Sequence, residues 1–159
     1  PVPTKTDVAD MVNKVCAEYK EIAAIKNIAI HLDADNKGSV FAHADASMLR
    51  EVVENLISNA VKYSANNKSV SVRLKSNDRR LRIEVADEGP GISPDDMKKL
   101  FGKFARLSAR PTGGEHSTGL GLSIVKKMVE AMDGKVWCES ELGHGATFMV
   151  ELPVVIVNV

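Results

Sequence analysis

The 159-residue chain has no surplus of charge, since its 21 Lys and Arg are matched by 21 Asp and Glu. A global basic field is therefore missing, and with it any composition-level argument for nucleic acid or an anionic membrane as partner. Partners have to be argued from local sites. Cysteine is scarce, at 2 residues. Cys16 lies in a helical pattern and Cys138 in a strand pattern, far apart and without metal-ligand spacing, which fits a reducing compartment and a packing role. No apolar run approaches the length that spans a bilayer, no signal-peptide pattern opens the chain, and there is no internal repeat. What is present is an ordinary soluble composition, 44% hydrophobic and 26% charged, at the size of one domain with one core. Helical periodicity begins almost at Pro1, so a piece of a longer protein is expected. Residues 1–6 then end a linker from an upstream domain, 7–153 form the domain, and 154–159 are a tail.

The apolar spacing predicts the elements. Val8, Met11, Val12, Val15, Tyr19 and Ile22 predict a first helix capped by Thr6 or Asp7. Ile28 to Leu32 reads as a strand, and Asn36-Lys37-Gly38 as a turn into a short strand from Ser39 to Ala42. A second helix is predicted from Asp45 or Ser47 to about Tyr63, packing through Leu49, Val53, Leu56 and Ala60. Val70, Val72 and Leu74 alternate as a strand, Asn77-Asp78 turns, and Leu81, Ile83 and Val85 alternate in the next, which makes a hairpin. Ser93-Pro94-Asp95-Asp96 carries the serine cap, early proline and early acids of a short helix ending near Leu100. Between Ala105 and Thr118 the apolar period vanishes, and a long mobile lid or linker is expected. Leu122, Val125, Val129 and Met132 mark a third long helix ending at Asp133-Gly134. Lys135 to Ser140 and Ala146 to Leu152 are the final strands. This order favours an α+β fold with one sheet covered by helices on one face.

Three segments carry chemistry. Counting on from Leu81, Ile83 and Val85 puts Asp87 in register with the apolar face, so its carboxylate points inward and needs hydrogen-bond donors from the chain or a ligand. Gly89 and Gly91 just beyond it suit a turn that something flat approaches closely. On the second helix Glu51, Asn55, Asn59 and Lys62 line up opposite the packing face. Asparagine is a mediocre helix former, and its amide oxygen suits a hard cation already partly neutralised by phosphates, with Lys62 as phosphate counter-charge. The third helix opens with Ser117-Thr118-Gly119-Leu120-Gly121-Leu122, where free amides and the helix dipole favour an anion. It is neither a Walker loop nor a Rossmann fingerprint. Each signal alone is also what a solvated helix face or a plain turn shows.

In this order they resemble the ATP-binding catalytic domain of bacterial sensor histidine kinases, in the superfamily that also holds gyrase, the heat-shock chaperone ATPase and the mismatch-repair ATPases. Asn55 to Tyr63 is similar to the N box, Asp87 to Gly91 to the first glycine box, Leu100 to Phe104 to the F box, and Gly119 to Leu122 to the second glycine box. The resemblance covers about Asp7 to Pro153. It implies a two-layer α/β sandwich of Bergerat type, with a mixed, mostly antiparallel sheet and helices on one face. It implies ATP and Mg2+ as ligands. Asp87 would accept from the adenine amino group, with Gly89 and Gly91 shaping the base pocket and Tyr63 and Ile92 at the nucleoside. Asn59 would coordinate the metal, with Asn55 alongside and Lys62 on the phosphates. Thr118, Gly119, Leu120, Gly121 and Leu122 would follow the phosphate chain, Gly119 and Gly121 through their amides. Phe101 and Phe104 would anchor the near end of the lid, although an i, i+3 pair is equally a core contact. Arg106, Arg110 and His116 are lid candidates for the terminal phosphate, and Thr147 a candidate for the base pocket.

The resemblance also separates transfer from hydrolysis. In the hydrolysing relatives a glutamate one turn before the metal-binding asparagine activates water, and here Asn55 holds that place; an amide takes no proton at neutral pH. Phosphoryl transfer asks chiefly for positioning and charge stabilisation, with the nucleophile supplied elsewhere. None of His31, His43, His116 or His144 lies in an acceptor pattern on a long amphipathic helix. The implied partners are thus a dimerisation and histidine phosphoacceptor domain, and a response regulator receiver indirectly, with no nucleic acid and no direct membrane contact. The implied location is cytoplasmic, whether or not the parent protein is membrane-anchored. A hydrolase or a non-catalytic nucleotide-sensing module are the alternatives.

Overall fold

The computed structural model describes residues 2–34, 41–77, 79–102 and 121–153. Along them run β1 (Thr4–Asp7), α1 (Val8–Ile25), β2 (Ala29–Ala34), β3 (Phe41–Ala44), α2 (Ala46–Tyr63), β4 (Ser69–Ser76), β5 (Arg80–Ala86), α3 (Pro94–Lys98), α4 (Gly121–Ala131), β6 (Lys135–Ser140) and β7 (Ala146–Pro153). Strands β2-β4-β5-β7-β6 form one sheet, in which only β2 and β4 are parallel. No helix among the described residues is long and apolar enough to cross a membrane.

The period-two pattern decides which face of the sheet is covered. Val70, Val72 and Leu74 of β4, Leu81, Ile83 and Val85 of β5, and Phe148, Val150 and Leu152 of β7 are buried in one core. The helices complete it with Val8, Val12 and Val15 of α1, Leu49, Val53 and Leu56 of α2, and Val125 and Val129 of α4. Each such side chain contributes about 1.5–3 kcal/mol when fully withdrawn from water, so a one-residue register slip in any strand would be severely destabilising. The opposite face is polar. Arg82 pairs with Glu151 at 2.9 Å and lies over the Trp137 ring at 5.1 Å, and Lys75 pairs with Glu84 at 3.4 Å.

Helix starts follow their caps. Asp7 Oδ1 accepts from Asp10 N at 3.0 Å, Asp45 Oδ1 from Met48 N at 3.0 Å, and Ser93 Oγ from Asp96 N at 3.1 Å. Two expectations change. Thr4 to Thr6 are not free linker but strand: Thr4–Asp7 pairs antiparallel with β3, and the buried Thr6 hydroxyl donates to Ala44 O at 3.3 Å. Four residues without apolar alternation give no periodic signal, and only the partner strand makes them a strand. The strand expected at Ser39 to Ala42 is described over Phe41–Ala44, up to the Asp45 cap, and Ser39 and Val40 lie outside the described residues. The expected lid falls outside the described residues.

Burial sets the chemistry of both cysteines. It pushes the Cys16 thiol up to about 11 and the Cys138 thiol up to about 12, the latter helped by the nearby Asp87 carboxylate. In the folded protein both thiols should be alkylated by iodoacetamide at pH 8 at least about tenfold more slowly than free cysteine, with the free rate restored in denaturant. A free-cysteine rate without denaturant would show that the packing at these two positions is wrong.

Candidate functional site

Helix α2 supplies one wall. Its buried residues Leu49, Val52, Val53, Leu56, Ile57, Ala60 and Val61 hold one face on the sheet, so Glu51, Asn55, Asn59 and Lys62 must face away from it. Asn55 Nδ2 donates to Glu51 O at 2.8 Å, one turn back. That commits the donor end of the amide and leaves Oδ1 directed away from the helix axis. The first residue of α4 lies over it, because a Cβ on Gly121 would sit 3.2 Å from Asn55 Oδ1. The start of α4 and the asparagine stripe therefore face one another.

The far end of the same helix meets the Asp87 turn. Asp87 Oδ1 accepts from Gly89 N at 2.9 Å and Ala146 N at 3.1 Å, while Asp87 N donates to Ala146 O at 2.8 Å. One carboxylate oxygen is thus held by the main chain. Desolvation by burial raises the Asp87 pKa above its ordinary value of 3.8, and the two amide donors oppose the rise. Gly89 has no room for a side chain, since a Cβ there would collide with Tyr63 O. Gly91 has φ +77° and would collide with Glu141 O, so both its conformation and its packing demand glycine. Ile92 is buried at 9% exposure, and its N–H donates to Ser140 Oγ at 2.9 Å. The Ser140 hydroxyl donates on to Gly145 O at 2.6 Å.

Of the expected site residues, Asn55 meets Gly121, Tyr63 meets Gly89 and Gly89 N bonds Asp87, while Ile92 is buried and Leu122 is half-buried against the core. Thr147 does not join them. Ala146 and Phe148 are buried on the helix side of β7, so the alternation sends the Thr147 side chain to the other face, and the residue bonded to Asp87 is Ala146. Phe101 makes an edge-to-face contact with Phe148, ring centroids 6.4 Å apart, which is the core contact its spacing also allowed. Phe104, Arg106, Arg110, His116, Thr118, Gly119 and Leu120 lie outside the described residues. Sequence reasoning missed Ser64, Ser140 and Ala146. Ser64 Oγ accepts from Glu88 N at 3.3 Å, and Ser140 and Ala146 read only as ends of the final strands.

The spacing has a chemical meaning. Asn55 and Tyr63 are eight residues apart on a straight helix, about 12 Å at 1.5 Å per residue. The Gly121 contact at Asn55 and the Gly89 contact at Tyr63 thus mark two ends of this stretch of α2, with Lys62 at the Asp87 end.

Residues 44–156 match the family described as "Histidine kinase-, DNA gyrase B-, and HSP90-like ATPase". Over 151 residues, 91% of this chain, the sequence is 36% identical to the sensor histidine kinase RppB of Synechocystis sp.. The chain spans 32% of that protein. The fold superposes on the catalytic domain of the histidine kinase ThkA with a TM-score of 0.83 at 27% identity, covering 96% of this chain and 95% of that one. Full-length ShkA, solved in complex with AMPPNP, gives a TM-score of 0.83 at 30% identity, covering 99% of this chain and 32% of that one. With so much of the chain matched in both sequence and fold, it belongs to the histidine kinase-, DNA gyrase B-, and HSP90-like ATPase family.

Proposed function

We propose that this chain is the ATP-binding catalytic domain of a two-component sensor histidine kinase, passing the terminal phosphate of ATP to a histidine on a separate dimerisation domain. A response regulator receiver would then be its indirect partner. The supporting observation is that α2 touches both other segments, Gly121 at Asn55 and Gly89 at Tyr63. A single ligand lying along the helix would reach all three.

The residues fit magnesium. The Asn55 amide is committed through nitrogen, which leaves a neutral oxygen beside the α4 start, and Asn59 lies one turn further on. Neutral oxygens are what a hard cation accepts when phosphates already provide the charge. Asn59 would hold it, with Asn55 beside it, and bound there the metal would neutralise charge developing on the phosphates. Lys62 adds a fixed positive charge on the same stripe. Asp87 fixes the base, and Gly89 and Gly91 keep its approach open. The chain's own part in transfer is therefore binding and orientation.

Hydrolysis is disfavoured by what stands around Asn55. Its amide has no basic lone pair, Glu54 pairs with Arg50 at 2.9 Å, and Glu51 is an exposed residue two turns before Asn59. With labelled ATP and the upstream helical domain added, acid-labile, base-stable label on protein is expected. Free phosphate in its place would identify a hydrolase, and binding without either a nucleotide sensor. Asn59→Ala should cut magnesium-dependent transfer by at least about tenfold while leaving the far-ultraviolet spectrum unchanged. Transfer at the unmodified rate would remove Asn59 from the site.

Asp87→Asn separates stability from binding. Because the folded pKa is raised, the folded state holds more protons than the unfolded one between 3.8 and that raised value, so stability from this group falls as pH rises through that window. At neutral pH the charged form is therefore a burden on the ligand-free fold. Asn keeps an oxygen for Gly89 N and Ala146 N without the ion's desolvation. The variant should melt higher than the unmodified chain at pH 7 and bind ATP about tenfold or more weakly by calorimetry. A lower Tm, or undiminished affinity, would contradict this account of the carboxylate.

A further inference from the structure

Lys26 follows the last turn of α1, outside every segment assigned to the nucleotide, yet it is only 7% exposed. Its Nζ donates to Val61 O at 2.7 Å and to Lys62 O at 3.0 Å. These carbonyls belong to the last turn of α2, among the groups a helix leaves without an internal partner, at the negative end of its dipole. Water would satisfy them at an open helix end. Here an ammonium from another element does so, and Lys26 O also accepts from Asn67 N at 3.1 Å in the turn that leaves α2. Lys26 thus holds the helix end and the chain leaving it.

That helix end is the floor beneath the Asp87 turn. Ser64, fully buried, accepts from Glu88 N at 3.3 Å, and Gly89 lies too close to Tyr63 O to admit a Cβ. Gly89 N then donates to Asp87 Oδ1 at 2.9 Å. Every link from the ammonium to the carboxylate is a hydrogen bond, a covalent neighbour or a close packing contact. We propose that Lys26 is a positioning residue for the base end of the nucleotide site, holding the last turn of α2 at the height on which the Asp87 turn rests. It touches no ligand itself. The inference rests on reading Asp87 as the acceptor for the base amino group.

A misplacement of about 1 Å in such a contact can cost on the order of a hundredfold, so loss of the support should be visible in base selection. The experiment measures Kd for ATP and for GTP, each with magnesium, by calorimetry on the unmodified chain and on Lys26→Met, Lys26→Arg and Ser64→Ala. Lys26→Met should bind ATP about tenfold more weakly and GTP within about twofold of the unmodified chain, so selectivity for adenine drops. Lys26→Arg should restore selectivity, because a guanidinium also presents several donors to paired oxygens. A lowered Tm with selectivity intact would make Lys26 a fold-stabilising residue only and overturn the inference. If Lys26→Met does not fold, Ser64→Ala decides, since it cuts the same support one step later: reduced selectivity supports the inference and unchanged selectivity overturns it. An unmodified chain that binds ATP and GTP alike, or neither, overturns the reading of Asp87 and this inference with it.

Discussion

The packing of one face of α2 on the sheet governs the rest of the site. A helix turns 100° per residue, so burying Leu49, Val53, Leu56 and Ala60 leaves no freedom in where Asn55, Asn59 and Lys62 point. The stripe is set by burial, and Asn55 Nδ2 donates one turn back to Glu51 O. A hydrophobic interface thus sets the direction in which these polar groups point.

The Asp87 end works on the opposite principle. Its carboxylate is half-buried at a strand end, and the desolvation that raises its pKa is only partly offset by two main-chain donors on one oxygen. The free fold thereby carries an unfavourable term at neutral pH that a base amino group would relieve. Two glycines just after it make this arrangement sterically feasible. The tight contact of Gly89 with Tyr63 O, and of Gly91 with Glu141 O, brings backbone from two other segments against the turn. Stability given up at such a rim is compensated by the core beneath it, where Leu81, Ile83 and Val85 lie fully withdrawn from water.

The chain spans 32% of RppB and, over its matched 122 residues, 20% of the sensor protein kinase WalK of Staphylococcus epidermidis. Under the proposed function the nucleophile would come from another domain, since the Asn55 amide takes no proton at neutral pH.

How much was readable in advance follows from which interactions are local. Helix α2, the β4–β5 hairpin and the inward Asp87 were visible because periods of 3.6 and 2 record burial directly in the residue order. Capping by Asp7, Asp45 and Ser93 was visible because a cap acts within one turn. The strand character of Thr4–Asp7 was not, since it exists only through pairing with Phe41–Ala44, far along the chain. Nor was the choice of Ala146 over Thr147 beside Asp87: that depends on the β5–β7 register, which sets Ala86 opposite Thr147. The amino-acid order by itself therefore determined the apolar face of the strands and of α2, while Ile22, expected on the packing face of α1, is 53% exposed because that helix end runs past the sheet it packs on, and Lys26 is buried. Only the tertiary structure decided which of those groups meet, because contacts such as Lys26 to Val61 and Gly121 to Asn55 join positions whose separation in sequence carries no periodic trace.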